Sequence, residues 1–257
     1  MTFPASRPTI AGVELSESDI YAAIGGLGLP EERLRPASVL LAFFLEHLWR
    51  SNARFGLISH EDAADPARLL DRHIVDSISV WRQVEHSMRH HGTRRLVDLG
   101  TGAGLPGLPL ACVLPDLEET LLVDRRGKRI SFLLGVLPAL QQLGRNLPEA
   151  FSLEIRTVQA DSARLHRIPG VGLHGAVVVF RAFQPTATQL LADLARSFPA
   201  GTPVHALKGR HAAAREELQT LKRSDYAADA VLEEMPPRGN DQAERALLSW
   251  VVRREPD

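Results

Sequence analysis

Cysteine is almost absent from this chain of 257 residues: Cys112 is the single one, and it sits inside an apolar run. No disulfide framework and no cysteine-rich metal site can be built, so Cys112 is expected to be a small buried core residue. A strong net charge is also missing. The balance is −1, so nothing global points to nucleic acid and any basic surface must be local. Long apolar runs are lacking too. "SVLLAFFLEHLW" is too short to span a bilayer and is broken by Glu46 and His47. The opening "MTFPASRPTI" has no basic segment followed by an apolar core, so no secretory signal is expected and the cytoplasm is the expected compartment. Internal repeats and low-complexity tracts are absent. Ten histidines are present, yet none forms an H-x-x-x-H or H-x-H pair beside carboxylates, and no metal is expected. His90 and His91 are adjacent and His205 lies near Lys208, while His73 shares a helix face with Asp76 and Ser77 and reads as a capped or core histidine. There is no obvious Ser–His–Asp or Cys–His set.

What is present is an ordinary globular composition, 44% hydrophobic and 24% charged, long enough for one large domain or a domain with an appendage. Residues 1–12 read as a loose tail. Ser16 reads as the cap of a short helix reaching about Leu27, with Asp19 at its third position. "GGLGLP" breaks that helix. Residues 36–54 read as a strongly apolar helix and 66–90 as a longer one. In the longer one Leu69, Leu70, His73, Ile74, Ser77, Ile78 and Trp81 recur at three and four residues and form one stripe. From Arg95 the pattern changes. Short apolar runs ("RRLVDL", "EETLLVD", "FSLEIRTV", "HGAVVVF", "TPVHAL") alternate with helical stretches at 106–114, 127–144, 185–198 and 210–222. This is the grammar of a parallel sheet with helices on both faces. Runs around 225–233 and 245–252 complete the strands. The chain is therefore expected to be α/β: a helical N-terminal cap over 1–90, then a doubly wound, mostly parallel domain over 91–257.

"LVDLGTGAGLPGLPL", residues 96–110, is the stretch that carries chemistry. An apolar strand ends in Asp98 and runs into Gly100, Gly102 and Gly104. Glycine accepts positive φ and removes the Cβ that would keep a ligand off the backbone. In a doubly wound sheet, ligands bind outside the carboxyl ends of the strands. Pro106 suits a first helical turn, and Gly107 permits close approach of helix to strand. Gly102, Gly104 and Gly107 also satisfy the dinucleotide spacing G-x-G-x-x-G. The next strand ends in Asp124, about 20 residues on, where a carboxylate accepts both hydroxyls of a ribose. NAD and S-adenosyl-L-methionine share that ribose. The acid before the glycines, Asp98, lies beside the place for a cationic amino-acid moiety and favours S-adenosyl-L-methionine. Arg125, Arg126, Lys128 and Arg129 then crowd the next strand-to-helix turn. Cations there oppose the helix macrodipole, and a phosphate-rich partner would explain them.

Five pieces, in order, carry a family resemblance: "RHIVDSISV" (72–80), "VDLGTGAGLPGLPLA" (97–111), "LLVDRRGKRISFL" (121–133), "RAF" (181–183) and "ALKG" (206–209). The chain resembles the bacterial 16S ribosomal RNA guanine-N7 methyltransferases of the glucose-inhibited-division-B type. That resemblance implies a class I (Rossmann-like) methyltransferase fold with an N-terminal helical extension and S-adenosyl-L-methionine as donor. It implies a guanine of 16S ribosomal RNA, free or in the small subunit, as acceptor. A monomer without membrane association is expected. Carried over residue by residue, Gly100 and Leu105 would touch the cofactor, Ser162 and Ala163 would lie beside its adenine, and Arg181 would stand at the edge of the site. Lys208 and the basic turn are the expected RNA contacts. The chain departs from the family at Gly56, where asparagine is usual, at Asp161 and Ala163 (arginine and glutamate) and at Phe180 (serine). "ERALLSWVV" matches only loosely. These departures bear on the acceptor more than on the cofactor. Guanine N7 carries a free lone pair and no proton, so its methylation needs no general base and asks the protein for positioning and electrostatics. Arginine and lysine read guanine, but N7 must stay free, so a cation such as Arg181 or Lys128 would contact O6 or phosphate. Two other readings stay open: a methyltransferase with a different acceptor, and an NAD-linked oxidoreductase or non-catalytic nucleotide-binding module.

Overall fold

The structure, a computed structural model, describes residues 9–10, 13–147, 153–168, 171, 173–181, 186–236 and 243–253. Ala182 and Phe183 of "RAF" lie outside them. Strands β1 (Thr9–Ile10) and β2 (Val13–Glu14) pair antiparallel. Helix α1 (Glu17–Gly25) begins at the expected cap: Ser16 Oγ accepts from the Asp19 amide at 3.1 Å, and Asp19 Oδ2 accepts from the Ser16 amide at 2.7 Å. Helix α2 (Glu31–Phe55) starts earlier than expected. Pro36 does not open it but sits one turn in, while Glu31 and Glu32 occupy the first turn, where carboxylates suit the helix dipole. Gly56 ends α2 at φ 60°, and its amide reaches Asn52 O at 2.8 Å. Glycine and asparagine are the residues that best accept this left-handed cap. Gly56 therefore has a backbone role as the cap of α2.

The expected single helix over 66–90 is broken into pieces. After α3 (His60–Ala64) come α4 (Pro66–Leu69), a π-helical turn (Leu70–Val75), α5 (Asp76–Ile78) and α6 (Trp81–His90). In the π turn the Asp76 amide donates to Asp71 O, five residues back. One residue more per turn re-aims Arg72, His73 and Asp76 while keeping the apolar stripe inward: Leu69, Ile74, Ser77 and Ile78 are fully buried.

The main sheet is built from β3 (Arg95–Leu99), β4 (Glu119–Asp124), β5 (Ile155–Gln159), β6 (Val177–Arg181), β7 (Pro203–Lys208), β8 (Ala227–Met235) and β9 (Arg245–Val252). Its order is β5-β4-β3-β6-β7-β9-β8, parallel except for β9, which runs antiparallel to β7 and β8. The order reverses between β3 and β6, which makes the crevice at their carboxyl ends the topological switch point. Helices α7 (Gly107–Val113), α8 (Gly127–Arg145), α9 (Thr188–Ser197) and α10 (His211–Lys222) connect the strands, with a 3-10 helix (Ser162–Arg167) after β5.

Strand alternation sorts the sheet into two faces. Leu96, Leu122, Val179, Leu207 and Leu247 join one hydrophobic cluster with α1, α2, α7 and α8. Val97, Leu121, Val178, Phe180, Ala206 and Trp250 join the other, with α9 and α10. The N-terminal helices thus share a core with the sheet. Asp98 and Arg181 fall on the N-terminal-helix face. Phe180, fully buried, falls on the opposite face, its ring 6.0 Å from that of Trp250. The serine-to-Phe180 departure therefore changes core packing away from Arg181. Cys112 is fully buried, and burial pushes its thiol up. Among the described residues no helix is long and apolar enough to cross a membrane.

A Cβ at Gly56 would meet nothing within 4 Å, so only its left-handed backbone resists substitution. Gly56→Val should lower the unfolding free energy by about 1–2 kcal/mol, and Gly56→Asn by less than half of that. Urea melts of the two variants check the order, and equal losses would contradict the cap assignment.

Candidate functional site

The site is built at the end of β3. Asp98 is fully buried; its Oδ2 accepts from Thr101 Oγ1 at 2.6 Å and from the Gly107 amide at 2.8 Å. Its Oδ1 is buried with no hydrogen-bond partner. Gly107 has to be glycine here, because a Cβ would lie 2.7 Å from both Asp98 Cβ and Leu122 Cδ2. Between these anchors Gly100, Gly102 and Gly104 run at φ 67°, 57° and 97°. Burial pushes the Asp98 carboxyl up to about 7, with Asp124 adding to the rise, against the Thr101 and Gly107 hydrogen bonds and the Arg181 charge.

Asp124 ties the other side of the loop. It is 4% exposed; Oδ2 accepts from the Gly102 amide at 2.9 Å and Oδ1 from the Arg126 amide at 2.8 Å. Asp98 and Asp124 therefore grip the glycine loop from beneath and from beside. Leu105 is buried within the core cluster on the N-terminal-helix face. Ser162 and Ala163 open the 3-10 helix after β5 and are partly exposed. Asp161 caps that helix, its Oδ1 accepting from the Ala163 amide at 3.1 Å, so this departure has a local backbone role. Of the basic turn, Arg125, Arg126 and Lys128 are exposed at the start of α8. Arg129 is half-buried: its Nη1 has no partner, and burial with the nearby Arg126 charge holds its guanidinium below the usual range.

Arg181 is not the open surface residue that a strand end permits; its side chain is 18% exposed. Its Nη1 donates to Arg72 O at 2.6 Å and to Asp76 Oδ2 at 3.0 Å, and Nη2 lies 3.3 Å from His73 Nδ1. The other oxygen of Asp76 accepts from Arg245 Nε at 3.0 Å, and Arg245 also lies 3.5 Å from Asp71. His73 Nε2 is 3.2 Å from Asp62 Oδ2. Accepting from Arg181 and donating to Asp62 requires the neutral imidazole protonated on Nε2. Burial, then the Arg181 charge, lowers the His73 pKa to about 4, which keeps that form. The expected core histidine is thus a bridge between the N-terminal helices and Arg181.

Lys208 sits apart from this cluster. Its side chain is 11% exposed, its Nζ lies 2.6 Å from Glu217 Oε2, and it stands 5.5 Å over the Phe180 ring on the opposite face. His205 is buried between Ser87 and Ser249. The contribution of Arg245 was not legible beforehand; the available signal was an arginine opening an otherwise apolar strand. Among the described residues no group of three or more His, Cys, Asp or Glu could hold a metal ion.

The sheet order and the acid-gripped glycine loop at the switch point define the Rossmann-like class I methyltransferase fold. Two solved structures share it: an O-methyltransferase from Bacillus cereus in complex with SAH (12% identical, TM-score 0.51, covering 81% of this chain and 90% of that one) and the CurJ carbon methyltransferase (13%, TM-score 0.51, covering 84% and 68%). Residues 38–244 match the GidB family, rRNA small subunit methyltransferase G, and the chain belongs to that family. Curated relatives include the ribosomal RNA small subunit methyltransferases G of Yersinia pseudotuberculosis serotype O:3 (strain YPIII), 37% identical over 54% of this chain and 63% of that protein, and of Yersinia pestis (strain Pestoides F), 39% identical over 46% and 50%. The chain thus spans about half to three-fifths of the length of these relatives.

The raised Asp98 pKa has a consequence for stability. The native carboxyl keeps its proton up to about 7, whereas an unfolded one releases it near 3.9. Between these limits the native state binds the extra proton, so this group's contribution to stability falls as pH rises. His73 and His205, both lowered to about 4, act in the opposite sense, so the readout is the difference between parent and variant. Asp98→Asn, neutral throughout, should gain thermal stability relative to the parent as pH rises from about 4 to about 7. A constant difference would mean that Asp98 is already ionised in the native protein.

Proposed function

We propose that the protein transfers a methyl group from S-adenosyl-L-methionine to N7 of a guanine in 16S ribosomal RNA. The observation that carries this reading is the glycine loop gripped by Asp98 and Asp124 at the switch point, lying wholly inside the 38–244 family match. The residues present fit the donor. Asp98 Oδ1, buried and unpartnered, suits the cationic amino group of its methionine end. Asp124 retains lone pairs beyond its two backbone bonds for the ribose hydroxyls. Gly100, Gly102, Gly104 and Leu105 back the ligand, and Ser162 and Ala163 flank its adenine.

When bound, S-adenosyl-L-methionine supplies an electrophilic methyl on a sulfonium. The protein's own work is to orient the base and exclude misaligned approach. Arg181, held by Arg72 O, Asp76 and His73, presents its remaining donors in a fixed direction to the guanine or to the cofactor mouth. No proton must be removed from N7, so the neutral His73 serves as a spacer rather than a base. In this division of labour the helices within 1–90 form a cap that fixes Arg181, the sheet within 91–257 carries the donor site, and Arg125, Arg126, Lys128 and Arg129 receive RNA phosphates.

Incubation with methyl-labelled donor and small ribosomal subunits or their extracted RNA, followed by mass mapping, should yield 7-methylguanine. Label on another atom or another RNA would support the different-acceptor reading instead.

Asp124→Ala should weaken S-adenosylhomocysteine binding by about 1.5–3 kcal/mol, the scale of a charge-assisted hydrogen bond. Unchanged affinity in calorimetry would remove Asp124 from the ribose. Arg181→Lys keeps the charge but loses the planar fork. Turnover should fall about 10²-fold, the scale of a misplaced reactant. The melting temperature should also drop by several degrees, because the partly buried bonds to the N-terminal helices are lost. Near-parental turnover in Arg181→Lys would place Arg181 outside the site.

A further inference from the structure

Helices α2 and α8 lie against each other and leave a groove of about 550 Å³ between them. Its polar lining is His47, Ser51 and Arg54 from α2 with Lys128 and Ser131 from α8, beside the ring of Phe55. No carboxylate lines it. Lys128 belongs both to this groove and to the basic turn next to Asp124. The groove therefore starts at the carboxyl edge of the sheet and follows α8 from Lys128 to Val136, about 12 Å at the helical rise per residue.

Three observations describe what it would hold. Phe55 is partly exposed, with its ring 6.1 Å from that of Phe132, and the Arg54 guanidinium stands 5.1 Å over it. A guanidinium and an aromatic ring are thus held together at the protein surface. Second, Arg54 and Lys128 are exposed and have no ion-pair partner among the described residues, whereas Arg50, one turn earlier on α2, is paired with Glu46 at 2.7 Å. Third, His47 is fixed in place: its Nδ1 lies 2.9 Å from Phe43 O and its ring is stacked on Phe43 at 4.1 Å. An acidic peptide would call for the cations alone. Cations, hydroxyls and a stacking surface together match a single strand of RNA, whose phosphates need charge and whose splayed bases stack on aromatic rings and guanidinium planes.

We propose that the α2–α8 groove docks the single-stranded RNA that flanks the methylated guanine, with a base stacked on the Arg54–Phe55 pair and backbone phosphates on Arg54 and Lys128. This rests on the ribosomal RNA reading above and adds a second contact region to it, outside the cofactor loop. Specificity for the acceptor would then be divided. The edge at Arg181 orients one base, and the groove selects substrates whose neighbouring nucleotides are unpaired.

The test uses the full chain and fluorescence anisotropy with a fluorescein-labelled, mixed-sequence single-stranded RNA, alongside S-adenosylhomocysteine calorimetry on each protein. Phe55→Leu keeps an apolar contact for Phe132 but loses the stacking face; it should weaken RNA binding about tenfold with an unchanged salt slope. Arg54→Gln removes an exposed charge that lies in the groove and not in the basic turn. It should flatten the slope of log affinity against log salt by about one. All variants should bind S-adenosylhomocysteine like the parent. Undiminished RNA affinity in Phe55→Leu would make this a plain anion surface, and undiminished affinity and slope in Arg54→Gln would show that RNA docks elsewhere. Either result overturns the proposal, as does a parent that binds S-adenosylhomocysteine but no RNA. A parent that binds RNA through the groove but no S-adenosylhomocysteine would instead overturn the methyltransferase reading.

Discussion

Asp98 Oδ2 takes the hydroxyl of Thr101 and the amide of Gly107, and the rest of the site is arranged around that pair of bonds. They draw the start of α7 onto the strand so closely that only glycine fits at position 107. They also force the intervening loop into a tight path across the carboxyl end of β3. Asp124, from the neighbouring strand, then fixes the middle of the loop through Gly102. Burying one carboxylate so completely disfavours its charge, which is why Asp98 is pushed up to about 7. Its second oxygen is left without a partner. A buried acceptor of this kind is costly unless something else satisfies it, and a cation arriving at the loop would do so.

A second set of contacts makes the N-terminal helices part of the same machine. Asp76 lies between Arg181 on β6 and Arg245 on β9, so one carboxylate joins the helical cap to two strands of the sheet. The π turn over Leu70–Val75 brings it there: it re-aims the Arg72 carbonyl, His73 and Asp76 without exposing the apolar stripe. Truncating one partner of such a network leaves the others unpaired in a poorly solvated place. Arg181 is for this reason both a candidate substrate group and a structural tie, and the two roles separate only when stability and turnover are measured on the same variant.

Much of this architecture is legible in the sequence because it rests on local rules. The Ser16–Asp19 capping box, the alternating strands from Arg95 onward and the glycine spacing after Asp98 each follow from backbone sterics or periodicity. The long apolar stripe from Leu69 to Trp81 also held its inward face. The π turn was not legible, since helical spacing of three and four residues is compatible with one extra residue. Pairings between distant segments were equally hidden: nothing local indicates that Arg245 would reach Asp76, or that Lys208 would pair with Glu217. The departures at Gly56, Asp161 and Phe180 gained their meaning only from three dimensions, as a helix cap, a 3-10 cap and a core ring.

The central claim is that the unpartnered oxygen of Asp98 receives the cationic end of the methyl donor. Isothermal titration of S-adenosylhomocysteine in buffers of different ionisation enthalpy, somewhat below the Asp98 midpoint of about 7, tests it most directly. A neutral Asp98 that meets an ammonium group must give up its proton, so binding should release protons to the buffer in the parent and none in Asp98→Asn. Binding with no proton release in the parent would contradict the account.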